Sequence, residues 1–248
     1  MAFTAQDLER QMPDATKLLS DEPEMESSLH YLQLALLVAC LERLWSDRDD
    51  FFIGANLTVY FSRQQLKNRD FRGPDFFLVK ETTHNPRNSW VVWEEDGRYP
   101  NLIIELLSDS TADIDRGLKK TLYSDRFGTH EYFWFSPETL EFEGYRLSGK
   151  QYAPIPTNEQ GWRWSEELGL YLGIYNRQLR YFSPEGELIP TPDEAADVAV
   201  QQAELEAQRA GLEAQRADQE QQRADQERRR ADKLAARLRD LGIDLDDD

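Results

Sequence analysis

The chain has 248 residues, 40% of them hydrophobic, with a formal net charge of −18. Both halves of the balance are acidic: 20 basic against 31 acidic residues up to position 192, and 9 against 16 after it. That argues against broad electrostatic capture of nucleic acid, which uses a basic face, but not against a local groove or a site made attractive to phosphate by bound divalent metal.

Residues 1–23 are polar and interrupted by proline, and are expected to form an extended or poorly ordered arm. The acidic N-terminal stretch lacks a signal-peptide pattern, and no run approaches the roughly 18–20 apolar residues of a membrane span, so a cytoplasmic location is expected. Glu26-Ser27-Ser28 leads into Leu29–Trp45, where Leu29, Leu32, Leu36, Leu37, Cys40, Leu41 and Leu44 follow helical spacing and predict an amphipathic helix. Cys40, the single cysteine, reads as a buried structural thiol.

Strand-like runs follow at Phe51–Phe61, Phe76–Lys80, Trp90–Trp93 and Leu102–Leu107. Ser108-Asp109-Ser110-Thr111 supplies capping residues for a helix over about Asp113–Phe127, and Gly128 marks its end. Further strands are expected at Glu131–Phe135, Leu140–Leu147, Gln151–Pro154, Tyr171–Tyr175 and Leu179–Phe182. This order of helix, strands, helix, strands predicts an α/β (α+β) domain over 24–192: a mixed sheet flanked by helices.

From Ala203 the chain becomes a heptad array. Positions 203, 207, 210, 214 and onward to 238 step by four and three, and all are Ala except Gln221, Arg228 and Leu238. Glu206/Arg209, Glu213/Arg216, Glu220/Arg223 and Glu227/Arg230 add i,i+3 pairs. Residues 193–248 therefore read either as a coiled coil, joining two copies through 203–241, or as a lone charged helix with an acidic tail.

The chemistry centres on Glu105, which interrupts the apolar run Leu102-Ile103-Ile104-Glu105-Leu106-Leu107. A buried ionised carboxylate is costly unless it meets a cation or dense donors. Asp75 opens a second apolar strand after Gly73-Pro74, and Lys119 lies on the helix after the Glu105 strand. Two carboxylates as ligands of Mg²⁺ or Mn²⁺, with a lysine to orient or deprotonate the attacking water, are what metal-assisted phosphodiester hydrolysis requires. Taking Ile114, Leu118 and Leu122 as the core-facing stripe sets Asp115, Lys119 and Tyr123 at its edge and turns Lys120 to solvent, which favours Lys119. The bland alternatives are a turn aspartate at 75, a structural ion pair between Glu105 and Arg116 or Arg126, and a lysine stem lying along the core. Glu26 and Asp109 are weaker candidates for the same metal, and His30, His84 and His130 lack ligand spacing.

Gly73-Pro74-Asp75, the Glu105 strand with Ser108-x-Ser110-Thr111, Asp115-Arg116-Gly117-x-Lys119-x3-Tyr123 and Glu131-Tyr132-x-Trp134 together resemble the Uma-type restriction endonuclease family. That family belongs to the PD-(D/E)XK, restriction-endonuclease-like superfamily. The resemblance covers about residues 20–190 and implies the superfamily's sandwich core, a metal site at Asp75, Glu105 and Lys119, and DNA as substrate. Leu107 stands where the superfamily's usual lysine would follow the acid, and the family moves that lysine to the next helix, matching Lys119. Asp109 replaces a usual proline, and Ser136 the aspartate of a usual Asp-Pro. The competing readings are a silent nuclease-fold scaffold working through its C-terminal helix, and a phosphohydrolase of small nucleotides.

Overall fold

A computed structural model describes residues 18–20, 22, 25, 27–62, 73–108 and 112–240. The chain divides into two compact units, Met1–Pro192 and Asp193–Asp248.

The first unit is mixed α and β. Helix α1 spans Ser28–Leu44, capped by the Ser27 hydroxyl, which accepts the His30 N–H at 3.3 Å. Strands β1 (Phe51–Ala55), β3 (Phe76–Lys80), β5 (Leu102–Leu106), β6 (Glu131–Phe135), β7 (Phe142–Ser148) and β8 (Gln151–Pro154) form one sheet in that spatial order. The pairing β5–β6 is parallel and the other neighbours are antiparallel. A parallel pair needs a crossover, here helix α2, which begins α-helical at Ala112–Ile114, becomes π-helical over Asp115–Lys119, and repeats the alternation over Lys120–Leu122 and Tyr123–Phe127. Gly128 ends it in the left-handed region (φ 66°), a conformation glycine adopts without strain.

The expected run Phe51–Phe61 is two strands. Asn56 turns the chain at φ 45°, and β2 (Val59–Tyr60) pairs instead with β4 (Trp90–Val91), away from the main sheet. Strands β9 (Arg163–Ser165), β10 (Leu170–Tyr175) and β11 (Gln178–Phe182) make a third, antiparallel sheet; β9 is absent from the sequence reading.

Side-chain alternation splits the core in two. Phe76, Leu78, Leu102, Ile104, Leu106, Phe133 and Phe135 face a cluster with Leu34, Leu37, Cys40 and Leu41 of α1. Phe77, Val79, Ile103, Tyr132 and Trp134 face the other way, against Tyr123 and Phe127 of α2. The central strands are therefore covered on both faces, which is why they read as continuous apolar runs.

The predicted face of α1 holds in part, at Leu37, Cys40 and Leu41, and that of α2 is wrong. On α1 the buried stripe is His30, Gln33, Leu34, Leu37, Cys40 and Leu41, while Leu29 and Leu32 are exposed. Gln33 is buried because its amide pairs with the Leu179 backbone in both directions, at 3.0 Å each, as a neighbouring strand would. On α2, Ile114 and Leu118 are exposed (48% and 75%), and Asp115, Tyr123 and Phe127 are buried. A π turn takes in more residues than an α turn, so alternating turns keep the i,i+4 line Asp115-Lys119-Tyr123-Phe127 on one face. Leaving Leu118 in water forgoes about 1.5–3 kcal/mol; leaving Glu105 without its cation would cost about 3–5 kcal/mol.

The second unit is helix α3, Pro192–Asp240, without a buried residue. Its first turn carries Asp193 and Glu194 and its last Arg237 and Arg239, each matched to the helix dipole. Among the described residues no helix is long and apolar enough to cross a membrane.

Candidate active site

Strand register brings the first two groups together. Phe76 pairs with Ile104 and Phe77 with Ile103, so continuing the antiparallel ladder by one residue sets Asp75 opposite Glu105. Both then fall on the face shared with Phe77 and Ile103, beneath α2. The contacts agree: the Asp75 N–H donates to Glu105 Oε2 at 3.3 Å, and Asp75 Oδ2 accepts the Leu106 N–H at 2.7 Å.

Helix α2 closes the cluster from above. Lys119 Nζ lies 3.1 Å from Glu105 Oε2 and 2.9 Å from Asp115 Oδ1, with 11% of its side chain exposed. Tyr123 donates its hydroxyl to Glu105 Oε1 at 2.7 Å, and Tyr132 donates to the Asp115 carbonyl at 2.9 Å. Glu105 and Asp115 are essentially inaccessible, whereas Asp75 is half-buried. Three carboxylates thus share one ammonium. Arg116 pairs with Glu141 at 2.6 Å and Arg126 lies over the Phe61 ring, so neither arginine is the partner of Glu105.

The charge balance moves the titrations of Glu105, Asp75, Lys119 and Tyr123. Burial pushes the Glu105 carboxyl well above its usual range; Lys119 pulls it back, while Asp115 and Asp75 add to the rise. Asp75 is raised by burial against the pull of Lys119 and the Leu106 N–H. Burial alone would lower the Lys119 pKa, but Glu105, Asp115 and Asp75 outweigh it and hold the ammonium above its ordinary value. Tyr123 is driven well up by burial and by Glu105, so its phenol remains a donor.

Asp75, Glu105 and Lys119 are therefore brought together. Glu26 and Asp109 lie outside the described residues. Lys120 does not stand free in solvent: its ammonium sits over Tyr145, 3.1 Å from the ring centroid, and over Trp134 at 5.1 Å. The histidines are apart, His30 on the Leu107 carbonyl (3.1 Å), His84 beside Glu42 (3.1 Å) and His130 beside Glu167 (2.6 Å).

Two neighbours escaped the sequence reading. Asp115 belongs to the ion-pair network, and its i,i+4 spacing to Lys119, with Tyr123 at i+8 on the same line, was the available signal. Glu22, in the stretch expected to be a loose arm, accepts the Thr58 hydroxyl at 2.8 Å and the Gly73 N–H, two residues before Asp75. The arm is tied down there, with Ser89 donating to the Leu18 carbonyl (2.7 Å) and Tyr60 to that of Leu19 (2.9 Å).

A second buried glutamate shows what a purely structural one looks like. Glu131 accepts from Arg146 at 2.8 and 3.1 Å, from the Ser165 hydroxyl, and from the N–H groups of Glu166 and Glu167 at 2.9 and 3.3 Å. Its charge is met by an arginine and dense donors. Glu105 has instead a lysine shared with a competing carboxylate. Among the described residues, no group of three or more His, Cys, Asp or Glu side chains is arranged to hold a metal ion by itself.

A search of curated proteins finds no match. Among solved structures, the chain is similar to a putative nuclease of the DUF820 group from Anabaena variabilis, with 14% identity, 59% of this chain and 76% of that one covered, and a TM-score of 0.42. The family model Uma2, described as "Putative restriction endonuclease", matches residues 7–179, most of the chain. The protein is thus a member of the Uma2 family.

Proposed function

We propose that this protein is a divalent-metal-dependent endonuclease that hydrolyses phosphodiester bonds in DNA, acting in the cytoplasm from the Asp75–Glu105–Lys119 cluster. The observation that carries the reading is Lys119 Nζ held 3.1 Å from a fully buried strand carboxylate that Asp75 also contacts.

The donor set suits a hard cation. It offers only oxygen, from two strand carboxylates, and carries more negative charge than its one ammonium offsets; Mg²⁺ and Mn²⁺ favour one or two carboxylates with waters completing the shell. Asp75 and Glu105 are the residues that would hold the ion, which when bound supplies a Lewis acid and an activated water.

The chain's own groups do the rest. Because Lys119 stays an ammonium, its role is to present positive charge and donors to the phosphate and water, not to act as a base. Asp115 fixes the lysine from behind at 2.9 Å, and Tyr123 fixes the Glu105 carboxylate at 2.7 Å. The Leu106 N–H orients Asp75. Preorganised in this way, the groups need little rearrangement as charge develops.

A second reading, a silent nuclease fold used as a scaffold, draws support from the net charge of −18. The two are separated by incubating plasmid and single-stranded DNA with Mg²⁺ or Mn²⁺ and wild type, Glu105→Gln or Lys119→Ala protein. Cleavage by wild type alone supports the nuclease. Equal cleavage by all three identifies a contaminant, and absence of both cleavage and calorimetric Mn²⁺ binding leaves the scaffold.

A further inference from the structure

Helix α3 runs 49 residues, about 73 Å at the α-helical rise, with no buried side chain. Most helical stability in proteins comes from a packed face rather than from propensity. Two stripes of α3 repeat every seven residues, and their flanking charges distinguish them.

The alanine seam is the weaker. On one side it is flanked by Glu206, Glu213, Glu220 and Glu227, and on the other by Glu204, Asp218, Asp225 and Asp232. Two copies meeting along that seam would oppose acid to acid whether parallel or antiparallel.

The second stripe begins at Val198 and steps by three and four through Leu205 and Leu212 to Gln226, with glutamine at each remaining step. Val198, Leu205 and Leu212 are 60%, 48% and 58% exposed, three apolar side chains left in water on one line, whereas the helix's other exposed large apolar residues, Val200 and Leu234, lie off it singly. If Val198, Leu205 and Leu212 are a positions of a heptad, the e positions are Gln202, Arg209, Arg216, Arg223 and Arg230. The g positions are Asp197, Glu204, Gly211, Asp218 and Asp225.

We propose that a second copy of this chain covers this stripe, in a parallel, in-register, two-stranded coiled coil. In a parallel pair each g residue faces the e residue of the next heptad on the partner. Glu204 then meets Arg209, Asp218 meets Arg223 and Asp225 meets Arg230, in both directions across the pair. An antiparallel pair would set arginine against arginine and acid against acid. The sequence is thus complementary to itself in one orientation only. Glutamine in the seam buries little apolar area but carries both a donor and an acceptor, so it can pair across the interface and fix register. The parallel arrangement joins the two Pro192 ends. This pairing does not depend on what the Glu105 cluster does.

The test uses the full chain. Sedimentation equilibrium across the micromolar range should give the mass of two chains, with the dimer weakening as salt rises. Gln201→Cys, at a seam position near the N-terminal end of α3, should cross-link to its counterpart without reductant; Cys40 is buried and does not compete. Reversing Arg209, Arg216, Arg223 and Arg230 to Glu should weaken the dimer by about a hundredfold, from six attractions turned to repulsions at a few tenths of a kcal/mol or more each. Mixing that variant with one carrying Glu204→Lys, Asp218→Lys and Asp225→Lys should restore a heterodimer, which a merely unfolded helix would not do. A single-chain mass at the highest concentration, a dimer that fails to cross-link, or a dimer indifferent to charge reversal would each overturn the proposal.

Discussion

Lys119→Met replaces a cation by an apolar side chain of similar length and isolates what the ammonium contributes. At separations of 3.1 and 2.9 Å from Glu105 and Asp115, and an effective dielectric near 20, each attraction is worth about 5 kcal/mol. Against a total of about 10 stands the desolvation of a lysine with 11% of its side chain exposed, several kcal/mol. The balance, about 3–5 kcal/mol, is also the usual cost of removing one partner from a buried pair. The loss should depend on pH in a definite direction. Removing Lys119 removes the chief influence lowering Glu105 and Asp75, so their folded-state pKa values rise further. An acid whose folded pKa lies above its unfolded one favours folding at low pH, and that contribution disappears as pH rises through the folded pKa. The variant should therefore be worst at pH 8 and recover toward pH 5. Urea denaturation in chelator at the two pH values measures this. A loss under about 1 kcal/mol at pH 8 would refute the reasoning, since it would mean that water already compensates the carboxylates.

Glu105→Gln should instead leave metal-free stability unchanged or raise it by about 1 kcal/mol, because a desolvated charge goes while Lys119 keeps Asp115, yet it should abolish Mn²⁺ binding by calorimetry and DNA cleavage. Glu131→Gln should do the reverse, costing about 1–3 kcal/mol because Arg146 loses its buried carboxylate and keeps only that of exposed Glu166, with Mn²⁺ binding retained by whatever remains folded. Tyr123→Phe removes one donor from a buried carboxylate and should cost about 1–3 kcal/mol in chemical denaturation, with slower cleavage as Glu105 loses its anchor.

What could be read from the chain beforehand was governed by which groups are expensive to bury. Glu105 stands out because a carboxylate in an apolar strand demands an explanation, and Asp75 follows from the turn that opens the neighbouring strand. Their juxtaposition needs only the β3–β5 register. The helix faces were legible only in part: Leu37, Cys40 and Leu41 are buried as their spacing predicts, but hydrophobicity does not rank a position whose polar group has a specific partner. On α1 the buried face includes Gln33, whose amide satisfies the Leu179 backbone, and His30, which meets the Leu107 carbonyl. On α2 it includes Asp115 and Lys119, which satisfy each other and Glu105. In both, polar groups matched to a specific partner displaced leucines from the interior. Glu22 was missed for a different reason: its contacts to Thr58 and Gly73 join distant parts of the chain, and no local pattern announces them.

The crossover through α2 also bears on how the domain assembles. Glu105, Asp115, Lys119 and Tyr123 all lie between positions 105 and 123, within the β5–α2–β6 unit, whereas Asp75 arrives only when β3 adds to the edge. Contacts close in sequence cost little loop entropy and form early. The ammonium can thus be seated on Glu105 before the sheet is complete, sparing the folding chain a bare carboxylate in its growing interior. Mutations at Lys119 would on this account slow folding itself, while those at Asp75 would chiefly hasten unfolding.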